Sequence, residues 1–178
     1  MVGGMTVSFE GFPRILERTA LRPGRWFVAA DGARPLLCLV TALESRGDPV
    51  TLAFAATGVE VVDIAVVGLS ALSGPYCTVE DEVVFAPGLA EGRPMLSAPL
   101  RRAFRAGALL RLRNGDLGIG FVTEPDGAAA IVSLANGQPA EGFDLVFERW
   151  SLSLRRAGLQ TLIGHFKPLS SLSQRRRV

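Results

Sequence analysis

Glycine and proline interrupt this chain so often that long helices find little room in it. The 178 residues include 20 glycines and 11 prolines, and both residue types favour turns over regular structure. Between the turns, apolar and polar residues alternate over short runs, which is typical of half-buried strands. The sequence therefore predicts a mainly β fold, either a β-sandwich or a barrel-like structure, with an antiparallel meander and one or two short peripheral helices.

The meander is predicted in the second half of the chain. Residues 108–113 alternate and then reach Asn114-Gly115, the strongest short hairpin signal in the sequence. Turn signals at residues 124–127 and 136–139 follow, so we expect four consecutive antiparallel strands between residues 108 and 149. In the first half, the same reasoning predicts strands at residues 25–30, 35–43, 50–57, 59–67 and 77–85, with turns at residues 46–49 and 73–75.

Short helices are indicated by end signals or by spacing in three segments. Pro13 suits the first turn of a helix over residues 10–20, and Ser97 and Gly107 can cap one over residues 97–106. The clearest helical spacing lies in residues 153–164, where we predict a C-terminal helix. That spacing is carried by Leu152, Leu159, Leu162, Ile163 and Phe166.

The length of the chain suits one domain that buries its own core without a metal or a disulfide. We predict a single β-rich domain over residues 1–168, with residues 86–99, rich in proline and glycine, as the candidate internal boundary. Residues 169–178 are mostly polar and contain three consecutive arginines before the final Val178. We predict that they form a mobile basic tail.

Charge is segregated along the sequence, although the net charge is only +2. Residues 47–92 and 114–148 carry acids without bases, whereas residues 93–113 and 149–178 carry bases without acids. If folding keeps these blocks apart, the surface is dipolar and suits steered docking, and if folding interleaves them, the surface is mixed. The candidate partner-binding residues are arginines of the two basic blocks: Arg101, Arg102, Arg105, Arg175, Arg176 and Arg177.

Protein subunits are the expected partners, either copies of this chain or members of a larger assembly. Nucleic acid is disfavoured because aromatic residues make up only 7% of the chain and do not interleave with the bases as they do in RNA-binding modules. The apolar residues 50–72 contain Glu60 and Asp63, which argue against a membrane span.

The expected location is the cytoplasm or an assembled particle. The N-terminus lacks a basic start followed by an apolar run, so no signal peptide is predicted. Cys38 and Cys77 both lie among apolar residues, and we expect free, buried thiols at both positions. Free thiols favour a reducing compartment.

No residue pattern in the chain points to catalysis, a metal or a cofactor, and none of these is predicted. His165 is the only histidine, and we expect it to cap or pack at the end of the C-terminal helix. Glu80-Asp81-Glu82 is the densest acidic cluster, and we expect its side chains to alternate across a strand as solvated charges. The glycines of residues 115–120 lie inside a predicted hairpin, where no helix N-terminus follows to bind a phosphate.

Three classes of function remain open. The favoured class is a non-catalytic structural subunit that works by protein–protein contact in a larger complex or particle, with a virion component as one candidate. The second is a β-module that binds a small ligand or a carbohydrate, to which Trp26, Trp150 and Tyr76 would contribute. The third is an enzyme whose residues converge only after folding.

Overall fold

A computed structural model describes residues 14–31, 34–57, 61–88, 92–94, 104–123 and 127–166. It confirms a mainly β fold, and the short helical content of the described residues consists of 3₁₀ turns at Arg18–Ala20 and Leu69–Ala71. The strands are β1 (Ile15–Leu16), β2 (Trp26–Asp31), β3 (Arg34–Ser45), β4 (Asp48–Ala56), β5 (Val62–Gly68), β6 (Ser73–Thr78), β7 (Glu82–Pro87), β8 (Gly92–Pro94), β9 (Leu109–Leu112), β10 (Leu117–Thr123), β11 (Ala128–Ser133), β12 (Phe143–Phe147), β13 (Trp150–Arg156) and β14 (Leu159–Phe166).

These strands form three antiparallel sheets. The six-stranded sheet has the order β1-β6-β2-β3-β4-β5, the five-stranded sheet β11-β10-β9-β12-β8, and the three-stranded sheet β14-β13-β7. An isolated parallel bridge joins Val61, just before β5, to His165 in β14. The six-stranded and three-stranded sheets therefore touch near one end of β5.

A shared hydrophobic cluster joins the three sheets, because each of them contributes buried side chains to it. Phe54 comes from the six-stranded sheet, Phe121 from the five-stranded sheet and Trp150 from the three-stranded sheet, and each is at most 2% exposed. A side chain of this size contributes about 1.5–3 kcal/mol when fully buried. The cluster is therefore the main contact through which the sheets stabilise one another.

Trp150 makes the most specific contacts in this cluster. Its indole ring stacks on Phe166 with the ring centroids 5.0 Å apart, and it meets Phe85 at 5.4 Å. Its Nε1–H donates a hydrogen bond of 2.8 Å to the carbonyl oxygen of Gly107, which lies between β8 and β9. The buried indole donor is thus satisfied by backbone, as a tryptophan in a core requires.

The other faces of the two larger sheets have hydrophobic clusters of their own. Phe27 and Cys38 are fully buried on the six-stranded sheet, and Phe104 packs edge-on against Phe143 on the five-stranded sheet, with centroids 5.8 Å apart. Gly120 allows this packing, because a Cβ atom there would lie within 3 Å of the Phe104 ring. The glycines of residues 115–120 therefore include one whose place is dictated by core packing.

Most strands predicted in the first half of the chain are confirmed with small shifts at their ends, as β2, β3, β4 and β5. The Asn114-Gly115 hairpin between β9 and β10 is also confirmed, and its loop is longer than two residues. Gly115 takes a positive φ of 90° and its N–H donates to Leu112, so Arg113, Asn114 and Gly115 form a three-residue loop.

The four-strand meander is wrong in its last strand. β9, β10 and β11 are consecutive neighbours as predicted, but β12 returns to pair with β9 on the far side from β10. After β11 the chain turns back and forms a single bridge to it, between Pro139 and Val132. Proline has no N–H to continue a ladder, and the order 11-10-9-12 is that of a Greek key.

The predicted C-terminal helix over residues 153–164 is also wrong, because this segment is a hairpin. β13 and β14 pair from Trp150–Phe166 to Arg156–Leu159 around a turn at Ala157-Gly158. The partner of β13 jumps from Gly164 to Leu162 between neighbouring residues, so Ile163 is an extra residue in β14. Such a bulge shifts the two-residue period of a strand by one and imitates helical spacing.

The other local errors have similar causes. Within the predicted helix over residues 10–20, the described part holds β1 and a 3₁₀ turn instead. Of the helix at 97–106, residues 97–103 lie outside the described residues, and Phe104 to Ala106 are not helical. The turn at 73–75 lies within β6, where three residues from Gly74 to Tyr76 face the single residue Ala29, so the turn residues form an irregularity in a strand.

One predicted strand, at residues 77–85, is divided between two sheets, as the end of β6 and most of β7. The apolar residues 50–72 form β4, β5 and the 3₁₀ turn at Leu69–Ala71, apart from residues 58–60, which lie outside the described residues. No helix in the described ranges has the length and apolarity needed to cross a bilayer. The predicted basic tail and residues 89–91 and 95–99 of the candidate boundary at residues 86–99 lie outside those ranges, whereas the described part of that boundary includes the end of β7 and β8.

A close backbone contact joins the turn after β11 to the six-stranded sheet. The N–H of Ala42 donates to the Gly137 carbonyl at 2.8 Å, and the N–H of Gly24 donates to the Val40 carbonyl at 2.9 Å. Gly24 and Gly137 both have positive φ, of 82° and 70°. A Cβ atom on Gly137 would lie 2.5 Å from both Gly24 N and Val40 O, so only glycine fits there.

We expect Gly137→Ala to destabilise the protein more than Gly115→Ala does. Gly115 also has a positive φ, but nothing lies within 4 Å of its added Cβ, so its replacement costs only the left-handed strain of about 1–2 kcal/mol. Overpacking at Gly137 adds about 1–3 kcal/mol. Denaturant unfolding of both variants measures the difference, and equal losses would contradict the contact with Gly24.

We expect Ala157→Asn to stabilise the protein. The Ala157-Gly158 loop has φ of 48° and 83°, as in a two-residue type I′ turn, which favours Asn-Gly over Ala-Gly. The gain in unfolding free energy should be about 0.5–1 kcal/mol. Ala135→Asn is the control, because Ala135 is an exposed turn residue whose φ is not positive. An equal gain at both sites would show that the backbone of Ala157 is not the cause.

Candidate functional site

The structure tests little of the predicted arginine surface. Arg101, Arg102 and the three arginines of residues 175–177 lie outside the described residues. Arg105 is described and exposed, and its carbonyl oxygen accepts a hydrogen bond of 2.9 Å from the N–H of Ala108. Partner binding by these arginines stays a prediction.

The acidic cluster at residues 80–82 is occupied by two arginines of β13. Arg155 binds the Glu82 carboxylate through two nitrogens, at 2.8 Å and 2.5 Å. Arg156 lies 2.8 Å from a carboxylate oxygen of Glu80 and 2.9 Å from one of Asp81. The hydrogen bond from Arg155 holds the pKa of Glu82 below its usual value and raises that of Arg155. These carboxylates are therefore paired with arginine side chains of the same chain.

A metal site is not formed by these acids. No group of three or more histidine, cysteine or acidic side chains in the described ranges has the arrangement to hold a metal ion. Only Glu82 of the three lies in a strand, β7, whereas Glu80 and Asp81 precede it. The predicted alternation of all three across one strand is therefore wrong, because Glu80 and Asp81 lie in the connection between the end of β6 at Thr78 and the start of β7 at Glu82.

Ion pairs across the sheets interleave the charge blocks of the sequence. Arg155 and Arg156 of the last basic block bind acids of residues 47–92, and Arg111 of β9 binds Asp144 of β12 at 2.8 Å and 2.6 Å. The hydrogen bond between them lowers the pKa of Asp144 and raises that of Arg111. For the described residues, the structure therefore favours the mixed surface over the dipolar one.

The aromatic residues proposed for a ligand site serve the core. Trp150 is 2% exposed. Trp26 is half-buried against Phe54, with ring centroids 5.6 Å apart. The Tyr76 hydroxyl donates a hydrogen bond of 2.8 Å to the carbonyl oxygen of Leu72, while its ring packs edge-on against Phe27. These contacts are those of packing and leave no exposed aromatic platform among the three.

The two cysteines are free, as predicted. Cys38 is fully buried, and desolvation raises the pKa of its thiol to about 12, so it is not a nucleophile at neutral pH. Cys77 is half-buried rather than buried. His165 lies in β14, not at a helix end, so its predicted capping role is wrong.

A feature that sequence reasoning missed is the position of the exposed apolar side chains. Among the described residues, the large apolar side chains that are most exposed are Ile15 at 76%, Leu159 at 78%, Val122 at 42% and Val66 at 38%. Ile15 is in β1, Val66 in β5 and Leu159 in β14, and each of these strands is the last of its sheet. Only Val122 belongs to an interior strand. The sequence shows apolar residues but not which strands lack a neighbour.

Comparison with known proteins gives no relative for this chain. No protein-family model matches it, and neither a curated protein nor a solved structure does so. The candidate site therefore rests on the geometry of the described residues.

A polar clasp fixes the end of β5, the edge strand with Val66. At the start of β4, the Asp48 carboxylate accepts hydrogen bonds from the Ser70 hydroxyl at 2.6 Å and from its N–H at 3.0 Å. Arg18 lies 3.9 Å away. The Ser70 hydroxyl, its N–H and then Arg18 hold the pKa of Asp48 below the ordinary 3.8. The clasp ties the 3₁₀ turn after β5 to the neighbouring strand.

We expect the clasp to make stability depend on pH in the acid range. The folded pKa of Asp48 is lowered, so its contribution is present above about pH 4 and is lost as pH falls through the folded value. Asp48→Asn should lower the unfolding free energy at pH 7. The unfolding free energy of this variant should then fall less on acidification than that of the wild-type protein. Urea unfolding between pH 7 and pH 2 checks this, and a gap between the two proteins that stays constant with pH would contradict it.

Proposed function

We propose that this chain is a non-catalytic subunit that works by protein–protein contact, through the edges of its sheets. The observation that supports the proposal is that three of the four most exposed large apolar side chains in the described ranges lie on edge strands. An edge strand presents unpaired N–H and C=O groups, and apolar side chains beside them make it a template for another chain.

The other classes of function lose the residues that motivated them. The ligand-binding hypothesis depended on Trp26, Trp150 and Tyr76, which pack in or against the core. The enzyme hypothesis requires residues that converge only after folding, and the densest acidic cluster, residues 80–82, is paired with Arg155 and Arg156. Neither class gains a new constellation from the described residues.

The proposed partners are copies of this chain or other subunits of a complex or particle. A virion is one candidate for such a particle. The six arginines named above are proposed to contact acidic protein surfaces outside the edge contact. The two free cysteines suit the proposed cytoplasmic or particle location, since a reducing compartment keeps thiols free.

Light scattering of the purified protein at ~0.1 M and ~1 M salt tests the proposal, because the Debye length falls from about 10 Å to about 3 Å between them. We expect a dimer or larger assembly that survives high salt, since edge pairing uses backbone hydrogen bonds and apolar burial. An assembly that dissociates at high salt would indicate that the arginines make the contact instead. A monomer at every concentration and salt would contradict self-association.

A further inference from the structure

β5 is the sheet edge in the described residues that is least protected against another strand. It pairs with β4 along its whole length, from Val50–Gly68 to Ala56–Val62. On its other side, β14 lies beside the start of β5, next to the bridge from His165 to Val61, and the described part of the chain pairs no strand with the rest of β5. Successive residues of an antiparallel strand direct their N–H and C=O groups to opposite sides, so about half of the residues of β5 direct them away from β4.

Its composition lacks the usual protection of an edge strand. Natural edges carry lysine, proline or a bulge, or are short or covered. β5 has the sequence Val-Asp-Ile-Ala-Val-Val-Gly, with Asp63 as its only charge and no bulge in its pairing with β4. The Asp63 carboxylate accepts a hydrogen bond from the Thr57 hydroxyl at 3.1 Å, so it bonds back to its own chain.

The other edges carry such protection. β1 has only two residues, β8 has three and ends at Pro94, and β7 ends at Pro87. β14 has the bulge at Ile163. β11 is covered on its outer side, because the N–H of Ala140 donates to Ile131 at 2.9 Å. β5 thus combines a length of seven residues with a composition that lacks these forms of protection.

The sequence of β5 is complementary to itself when two copies run antiparallel about a two-fold axis at Ala65. This register pairs Asp63 with Val67 and Ile64 with Val66, each in both directions, and the paired segment stops short of Val62, which lies at the β14 end of the strand. Val66, which is 38% exposed in the single chain, then lies against Ile64 of the second copy. Cross-strand pairs of β-branched residues stabilise a sheet.

Charge selects the same arrangement. In the antiparallel register each Asp63 faces Val67, and the two Asp63 residues are separated by four positions, about 13 Å along the strand. A parallel pair in register would place them directly opposite each other, which destabilises a sheet. An identical strand in the antiparallel sense therefore avoids the one charge conflict that β5 carries.

We propose that two copies of this chain dimerise by antiparallel pairing of β5 with β5 about a two-fold axis at Ala65. The pairing joins two six-stranded sheets into one continuous sheet. Such an interface is isologous, with the same surface on both subunits. This inference rests on the proposed function and names its contact surface.

The test places like charges on the axis. Ala65 is exposed, so Ala65→Lys leaves the fold of the single chain intact, but it puts two lysines opposite each other in the dimer. We expect the dimer dissociation constant, measured by sedimentation equilibrium, to rise at least about tenfold, or 1.4 kcal/mol. Ala128→Lys is the matched control, because Ala128 is an exposed alanine on the edge strand β11, and its dissociation constant should not change.

A second variant tests the position of the axis. The dimer of the Ala65→Glu chain should also dissociate. An equimolar mixture of the Ala65→Lys and Ala65→Glu chains should recover a dimer, because opposite charges then meet on the two-fold axis. Circular dichroism and the thermal midpoint of each variant report whether the single chain stays folded.

Three results would overturn the inference and leave the proposed function intact. The first is an assembly unchanged by Ala65→Lys, which places the contact elsewhere. The second is equal weakening by Ala65→Lys and Ala128→Lys, which shows a general charge effect. The third is a lower thermal midpoint of Ala65→Lys at an unchanged assembly mass, which shows that part of the same chain covers β5. A wild-type chain that is always monomeric contradicts self-association itself.

Discussion

The fold depends on the packing of Trp150, which lies in the hydrophobic cluster that all three sheets share. Its ring stacks on Phe166 of its own sheet and meets Phe54 of the six-stranded sheet, and its N–H is bound to Gly107 beside the five-stranded sheet. Gly107 has a positive φ, and a side chain there would collide with Phe166. One indole thus fixes the relative positions of three sheets through an aromatic stack and a hydrogen bond, which packing alone would leave less specific.

Around this core, the arginine–carboxylate pairs link strands that are far apart in sequence. Arg155 joins β13 to β7, and Arg111 joins β9 to β12, in each case across neighbouring strands. All these groups are largely exposed, so each pair adds little to stability by itself. Their main effect is on the surface, since they cancel the blocks of like charge that the sequence displays. Apolar edges, and not broad charged faces, are what the described residues offer to another protein.

Local alternation and turn chemistry were enough to predict β2 to β5 and the hairpin at Asn114-Gly115, because these signals act over a few residues. The β13–β14 hairpin could not be read from the sequence, because its turn uses Ala157 in a left-handed conformation and a bulge at Ile163 disguises the period. The chain after β11 bridges back only at Pro139 and β12 then pairs with β9, a long-range pairing that no local pattern encodes. The candidate site was missed for the same reason: Val66 is ordinary as a residue and becomes conspicuous only because no strand among the described residues pairs with β5 beside it on the side away from β4.

The contact between Gly24 and Gly137 has a consequence for tracing the ancestry of this fold. Gly24 is constrained by its left-handed backbone and by the carbonyl of Asn136, and Gly137 is constrained by its left-handed backbone and by atoms of Gly24 and Val40, so a side chain at either position would break the contact. Surface residues and even core side chains can be exchanged for others of similar volume while the sheets keep their arrangement. In a distant relative, this pair of glycines, 113 positions apart in the present chain, would therefore outlast overall sequence similarity and serve as a marker of common architecture.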